Sequence, residues 1–196
     1  MHGTENASPW VARWSHLVPA GGSVLDVACG HGRHSKLFFE KNHSIVSVDR
    51  SSDAIESLAQ WCAQRSADQH ARALHEPPHK APELLVADIE NAPWPFSGRQ
   101  FDGIVVTNYL WRALLPTIVQ SLAPGGLLIY ETFATGNETV GKPSRPDFLL
   151  QTGELLQVCS SLRVVAFEDG FLDAPERFVQ RIVAARSSAA VARFSL

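Results

Sequence analysis

The residues most able to do chemistry are gathered in VLDVACGHGRH, residues 24–34. An apolar run leads into Asp26, a turn passes through Gly30-His31-Gly32, and a helix-like segment, RHSKLFFEKN, follows at once. Glycines at 30 and 32 let a ligand approach the backbone and supply positive φ where a turn needs it. A helix beginning near Arg33 aims its first N–H groups at the same place. Any nucleotide-like cofactor suits this design. A dinucleotide fingerprint wants Gly or Ala at its sixth position, where this chain has Ser35. Asp26, just ahead of the glycines, would repel a pyrophosphate and favour a cationic ligand such as an α-ammonium group. Its other reading is a carboxylate that holds the N–H groups of the turn.

Two more acids stand at equivalent places. Asp49 ends SIVSVD, near the spacing of roughly 20 residues expected of an acid that grips ribose hydroxyls. A carboxylate accepts both hydroxyl hydrogens; the alternative is a helix-start carboxylate. Asp88, in VADIENAPWPF, is placed to accept from an exocyclic amine such as that of adenine, with Ile89 packed on the base, or else to close an Asx-turn. Glu131 in YETF is a candidate base or acceptor-orienting residue, or an ion-pair partner. Tyr109 and Trp111 could offer π faces to a cation or acceptor, or belong to the core. Arg112, Lys142 and Arg145 could attract an anionic acceptor. Arg13 could reach a cofactor carboxylate, while Trp10 and Trp14, at i and i+4, read as a packing stripe. His31 and His34 flank the glycine turn and are expected to be exposed, and Cys29 is expected to be a small buried filler. His70, His75 and His79 lie on a Pro-rich stretch that promises no fixed metal geometry, so no metal is expected.

Elements must position these groups. Strands are expected at 23–28, 44–49, 83–88, within 101–108, at 126–133, 162–169 and 177–185. Helices are expected from Pro9 (capped by Ser8) to about Leu17, after the glycine turn, from Ser51-Ser52-Asp53 to about Arg65, over 111–122 with Pro116 an awkward interior residue, and over 152–162. Strands alternating with helices mean a mostly parallel sheet, and near-continuous apolar strands mean that both of its faces are covered. The bridge Gly170 to Pro175 is too short for a crossover helix, so the last two strands form an antiparallel hairpin. Residues 66–82 and 134–151 read as irregular, and the second follows a strand's C-terminal end, which makes it a candidate lid.

With 196 residues the chain is expected to be a single domain, residues 1–19 forming an N-terminal helical segment. Seventeen Lys and Arg against 20 Asp and Glu leave a charge of −3, which argues against a strongly basic nucleic-acid surface. No apolar run is long enough for a membrane span and no secretory signal is readable. Three scattered cysteines form no CxxC pair, so no disulfide framework is expected and a reducing cytoplasm is the default.

VLDVACGHGRH, SVDRS, VADIENAPWPF and FDGIVVTNYL…LAPGGLLIYETF, in this order and spacing, resemble the class I S-adenosylmethionine-dependent methyltransferases over residues 20–185. The GHGRH form resembles the small-molecule branch that includes tellurite-resistance methyltransferases. The resemblance implies a Rossmann-like seven-stranded sheet of order 3-2-1-4-5-7-6, strand 7 antiparallel, with helices on both faces. It implies that S-adenosylmethionine binds with its amino-acid end at Gly30 and Gly32, its ribose at Asp49 and Arg50, and its adenine between Asp88 and Ile89. Asn108 would lie near the reacting methyl, and LAPGG would be a structural turn. An Asn-Pro-Pro-Tyr motif is absent after the fourth strand, which reads Thr107-Asn108-Tyr109-Leu110 and speaks against amino-methylation of DNA bases or protein amides. The expected reaction is methyl transfer to a small molecule, such as a thiol, a chalcogen oxyanion or another anionic nucleophile, with S-adenosylhomocysteine as product. A nicotinamide-linked dehydrogenase, a non-catalytic S-adenosylmethionine-binding regulator and an RNA-modifying enzyme are the alternatives.

Overall fold

The computed structural model describes residues 6–72, 80–188 and 194. The chain divides into two compact units, Met1–Ser97 and Gly98–Leu196. Its strands are ordered β3-β2-β1-β4-β5-β7-β6 in a seven-stranded sheet, as the resemblance implied.

In the first unit, α1 (Pro9–Trp14) opens as expected: the Ser8 side chain accepts from the Val11 N–H at 3.1 Å, and Pro9 takes a position that needs no donor. Trp10 and Trp14 are both buried and meet edge to face at 5.7 Å. A 3-10 turn, Ser15–Leu17, completes the segment. Strand β1 (Ser23–Val27) feeds the glycine turn, which feeds α2 (Arg33–Glu40). Strand β2 (Ser44–Asp49) pairs in parallel with β1, Leu25 opposite Val46, and with β3 (Glu83–Val86), Asp49 opposite Val86. The inner residues of β1 and β2 are buried, as strands covered on both faces require. Strand β3 departs from that expectation. It has four residues, stands at the edge of the sheet and leaves Val86 half exposed. Helix α3 (Ser52–Arg72) runs well beyond Arg65 and takes in the first residues of the stretch expected to be irregular. His75 and His79 lie outside the described residues, as does the side chain of His70.

The second unit contains β4 (Phe101–Thr107), α4 (Leu115–Gln120), β5 (Leu122–Phe133), α5 (Glu154–Val158), β6 (Arg163–Asp173) and β7 (Glu176–Ala185). Strands β4 and β5 are parallel; Phe101 faces Leu122 and Gly103 faces Leu127, so the LAPGG residues bulge at the start of β5. Pro116 is not interior. A 3-10 turn, Arg112–Leu114, precedes α4, and the proline falls in the first helical turn, where its missing N–H leaves no bond unmade. The hairpin β6–β7 is antiparallel and longer than expected, since pairing continues to Asp173 opposite Glu176 and leaves only two residues for the turn.

The 134–151 segment is fastened at both ends. Ala134 bridges Leu150, and Thr135 N–H donates to the Leu150 carbonyl at 2.9 Å. Asn137, buried, donates to the Pro143 carbonyl and accepts from the Phe178 N–H. Arg112 holds Glu154 with two donors, at 2.8 and 3.0 Å, and donates to the Asp147 and Leu149 carbonyls. Among the described residues no helix is long and apolar enough to cross a membrane.

The cap gives a direct test. Ser8→Ala removes the acceptor for Val11 N–H and is expected to cost about 1 kcal/mol of stability. Urea unfolding of the two proteins measures it, and equal midpoints would show that the cap contributes nothing.

Candidate functional site

The site in the first unit begins with backbone conformation. Ala28, Gly30 and Gly32 all have positive φ, at 52°, 54° and 71°. Alternate left-handed residues fold the chain sharply between β1 and α2. The two glycines serve differently. A Cβ on Gly32 would stand 2.5 Å from Leu58 Cδ1, so this glycine lets α2 close on α3. A Cβ on Gly30 would meet no atom within 4 Å. Open space over a left-handed glycine is what a ligand in contact with the backbone needs.

Asp26 takes the second of its two readings. It is buried, and its Oδ2 accepts from the Ser35 N–H at 2.9 Å and from the Ser35 hydroxyl, which also meets Ser47 Oγ at 2.9 Å. It therefore fixes the start of α2 rather than facing a cationic ligand. Burial pushes its carboxyl up to about 6, with the neighbouring Asp49 adding to the rise and the two Ser35 bonds and Arg33 opposing it. Ser35, off-pattern for a dinucleotide site, is the hydroxyl that this carboxylate requires.

Asp49 reaches across to the turn. Its Oδ2 accepts from the Gly30 N–H at 2.7 Å and its Oδ1 from the Ser51 N–H at 2.9 Å. Each oxygen keeps a further lone pair for a hydroxyl. The strand ends are tied together by Cys29 N–H to the Val48 carbonyl and Ala87 N–H to the Asp49 carbonyl, both at 3.0 Å. Asp88 is exposed and closes an Asx-turn. It accepts from the Glu90 and Asn91 N–H groups and the Asn91 side chain, which, the last foremost, hold its carboxyl below the usual range; Arg50 adds to this. Ile89 beside it is buried, and Arg50 is exposed. Ala28–Gly32, Asp49, Arg50, Asp88 and Ile89 thus share one edge of the parallel strands. Arg13 lies over the Trp14 ring at 4.6 Å.

Both histidines of the turn were expected at the surface, and only His31 is exposed. His34 is buried, and its Nε2 accepts from the Ser8 N–H at 3.2 Å. Burial, with help from Arg33, pushes its imidazole down to about 3. Neutral at ordinary pH, it serves as an acceptor linking α2 to the cap of α1. Cys29 is buried, and burial, with Asp26 and Asp49 adding to it, pushes its thiol far above the usual range. Among the described residues no three His, Cys, Asp or Glu side chains are grouped to hold a metal.

In the second unit, Asn108, just past β4, is in the left-handed region, φ 52°, exposed, its N–H on the Glu131 carbonyl at 2.9 Å. Tyr109 is half-buried, and its carbonyl accepts the Tyr130 hydroxyl at 2.8 Å. Trp111 is exposed. Glu131 is fully buried, with Arg181 at 3.4 Å and Arg177 at 3.8 Å. Those two arginines were not singled out from the sequence. The available signal was RFVQR, in which alternation puts positions 177 and 181 on one strand face. The three cations chosen instead have other surroundings. Arg112 is committed to Glu154, Arg145 pairs with Asp147 at 2.8 Å beside Phe148, and Lys142 is exposed.

A family model described as a methyltransferase domain matches residues 2–161. The chain is similar in fold to several solved structures. One is a SAM-dependent methyltransferase from Methanosarcina mazei, with 17% identity, a TM-score of 0.66 and coverage of 93% of this chain and 99% of that one. Another is TehB from Haemophilus influenzae, at 18% identity and TM-score 0.67, covering 90% of this chain and 61% of that one. A third is magnesium protoporphyrin IX methyltransferase from Synechocystis PCC 6803 with bound SAM, at 14% identity and TM-score 0.60, covering 91% and 75%. A comparison with curated proteins finds no match.

The buried Asp26 sets a pH test. Its folded value, about 6, lies above the unfolded value near 3.8, so the folded state holds the extra proton between them. Its contribution to stability is full below about pH 4 and is lost as pH rises through about 6, a change of order 3 kcal/mol. Asp26→Asn should abolish that part of the slope. Denaturation midpoints of both proteins from pH 4 to 7 measure it, and identical slopes would refute the assignment.

Proposed function

Because the chain belongs to the methyltransferase-domain family, we propose that it transfers a methyl group from S-adenosylmethionine to a small-molecule acceptor, with the cofactor held along the edge built by the glycine turn, Asp49 and Asp88. The observation that carries this reading is the open backbone at Gly30, its N–H seated on a carboxylate that retains lone pairs for two hydroxyls.

The residues present fit such a cofactor. Asp49 grips the ribose hydroxyls, with Arg50 beside it. Ile89 offers an apolar side to the base and Asp88 an acceptor for its exocyclic amine. Gly30 lets the amino-acid end lie against the chain, and Gly32, packed on Leu58, sets the turn that presents it. Asp26 acts through Ser35 by fixing where α2 starts. When bound, the cofactor would supply an electrophilic methyl on a sulfonium, a carbon that already carries a good leaving group. The chain's own work is alignment and exclusion of water. No general base is required of an acceptor already deprotonated at working pH. Asn108 belongs to the methionine end of the cofactor in this reading, Tyr109 and Trp111 to the acceptor, and Arg13 to the cofactor carboxylate.

Calorimetric titration with S-adenosylhomocysteine, with NAD as control, tests the cofactor: saturable binding of the first alone is expected, and its absence in folded protein overturns the reading. Asp49→Ala should weaken that binding by about tenfold or more, with the circular dichroism spectrum retained. Unchanged affinity would remove Asp49 from the ribose.

A further inference from the structure

The second unit holds an ionic cluster that neither its stability nor the cofactor accounts for. On one face of the β5–β7–β6 ribbon, Glu131, Arg181 and Glu168 are cross-strand partners. Arg181 is held on both sides: its guanidinium donates twice to Glu168 and, at 3.4 Å, to Glu131. Arg177, four residues earlier on the same face of β7, is different. Its side chain is 18% exposed, yet its only described charge partner is Glu131 at 3.8 Å, beyond hydrogen-bond reach. Its Nε is buried without a hydrogen-bond partner, and so is Oε1 of Glu131.

A guanidinium has five N–H donors, and a mostly buried one with its donors unused is costly unless something takes them. Glu131, with no exposed surface, stands behind the two arginines and pins them from within. Glu168 is 47% exposed, at the rim, where solvent weakens its charge. The cluster holds two arginines and two carboxylates, but Arg181 is bonded to both acids, while Arg177 makes no hydrogen bond to either. Unused donors in a fork geometry on a mostly buried cation are the recognition chemistry of an oxyanion. The place agrees as well, since Glu131 lies near the C-terminal end of a parallel strand, where ligands of open α/β sheets bind.

We infer that Arg177, braced by Glu131 and Arg181, binds an oxyanion carried by the methyl acceptor, so that the substrate class is a small carboxylate or phosphate. This rests on the proposed methyl transfer to a small acceptor. Glu131 is then a positioning residue whose role is to hold the arginines, and Arg177 sets specificity. Lys142 and Arg145, both at the surface, are not needed for it.

The test uses the full chain saturated with S-adenosylhomocysteine. Acetate, benzoate and inorganic phosphate are titrated by ligand-observed NMR, with benzamide as the neutral control. Saturable binding of a carboxylate or of phosphate, and none of benzamide, is expected, and which anion binds names the source. Arg177→Gln should weaken that binding by roughly tenfold to a hundredfold and leave the S-adenosylhomocysteine affinity unchanged. Arg177→Lys, which keeps the charge without the fork, should fall between and serves if the glutamine variant does not fold. Arg145→Gln should have no effect. Equal binding of benzoate and benzamide, no anion binding at all, or binding unmoved by both Arg177 variants overturns the inference while the methyltransferase reading stands. Failure to bind S-adenosylhomocysteine overturns the reading beneath it.

Discussion

The contact between Asp26 and Ser35 fixes the geometry on which the rest of the first unit depends. It joins the last turn of β1 to the first turn of α2 and leaves the residues between them no choice but a tight reversal. That reversal needs positive φ at Ala28, Gly30 and Gly32, and it brings the Gly30 N–H onto Asp49, which belongs to another strand. The cost is a carboxylate taken out of water. Its raised pKa is the measure of that cost, and the hydroxyl and N–H of Ser35 offset part of it. A polar link of this kind specifies one arrangement where apolar packing would accept several.

The two units handle buried charge in different ways. In the first, Asp26 and Asp49 are satisfied by neutral donors, backbone N–H groups and the Ser35 hydroxyl, so nothing is left over except capacity for hydroxyls. In the second, Glu131 meets two arginines, of which Arg181 is also bonded to Glu168 and Arg177 is not. Neutral donors suit a ligand whose shape must be read; a guanidinium with donors to spare suits one whose charge must be read. A cofactor and a small ionic acceptor place those separate demands.

The strand pattern was legible because the information is local: apolar runs at 23–28, 44–49 and 101–108 mark β1, β2 and β4 nearly residue by residue. The Ser8-Pro9 start and the antiparallel final hairpin were legible for the same reason, through cap chemistry and a bridge too short for a helix. What was missed depends on partners distant in sequence. Whether Asp26 faces a ligand or a helix start is decided by where Ser35 arrives. His34 is buried because α1 lies against it through Ser8. Pro116 looked interior because the 3-10 turn before α4 has no signature apart from its neighbours. Arg177 and Arg181 acquire meaning only from the register that sets Glu131 opposite Arg181, and register is a property of paired strands, not of either one.

The ends of the sheet carry a further consequence, for how the chain behaves in a crowded solution. An outermost strand offers a row of unpaired backbone groups to any other chain that can extend. At one end, β3 has only four residues, too few to be a good template. At the other, β6 has eleven, and Val164 and Phe171 on it are exposed. Length gives no protection there, and charge takes its place: Arg163, Glu168, Asp169 and Asp173 punctuate the strand, so a second copy laid alongside would have to bury or oppose like charges. Neutralising those acids would turn the rim of the hairpin from a boundary of the fold into a seed for aggregation.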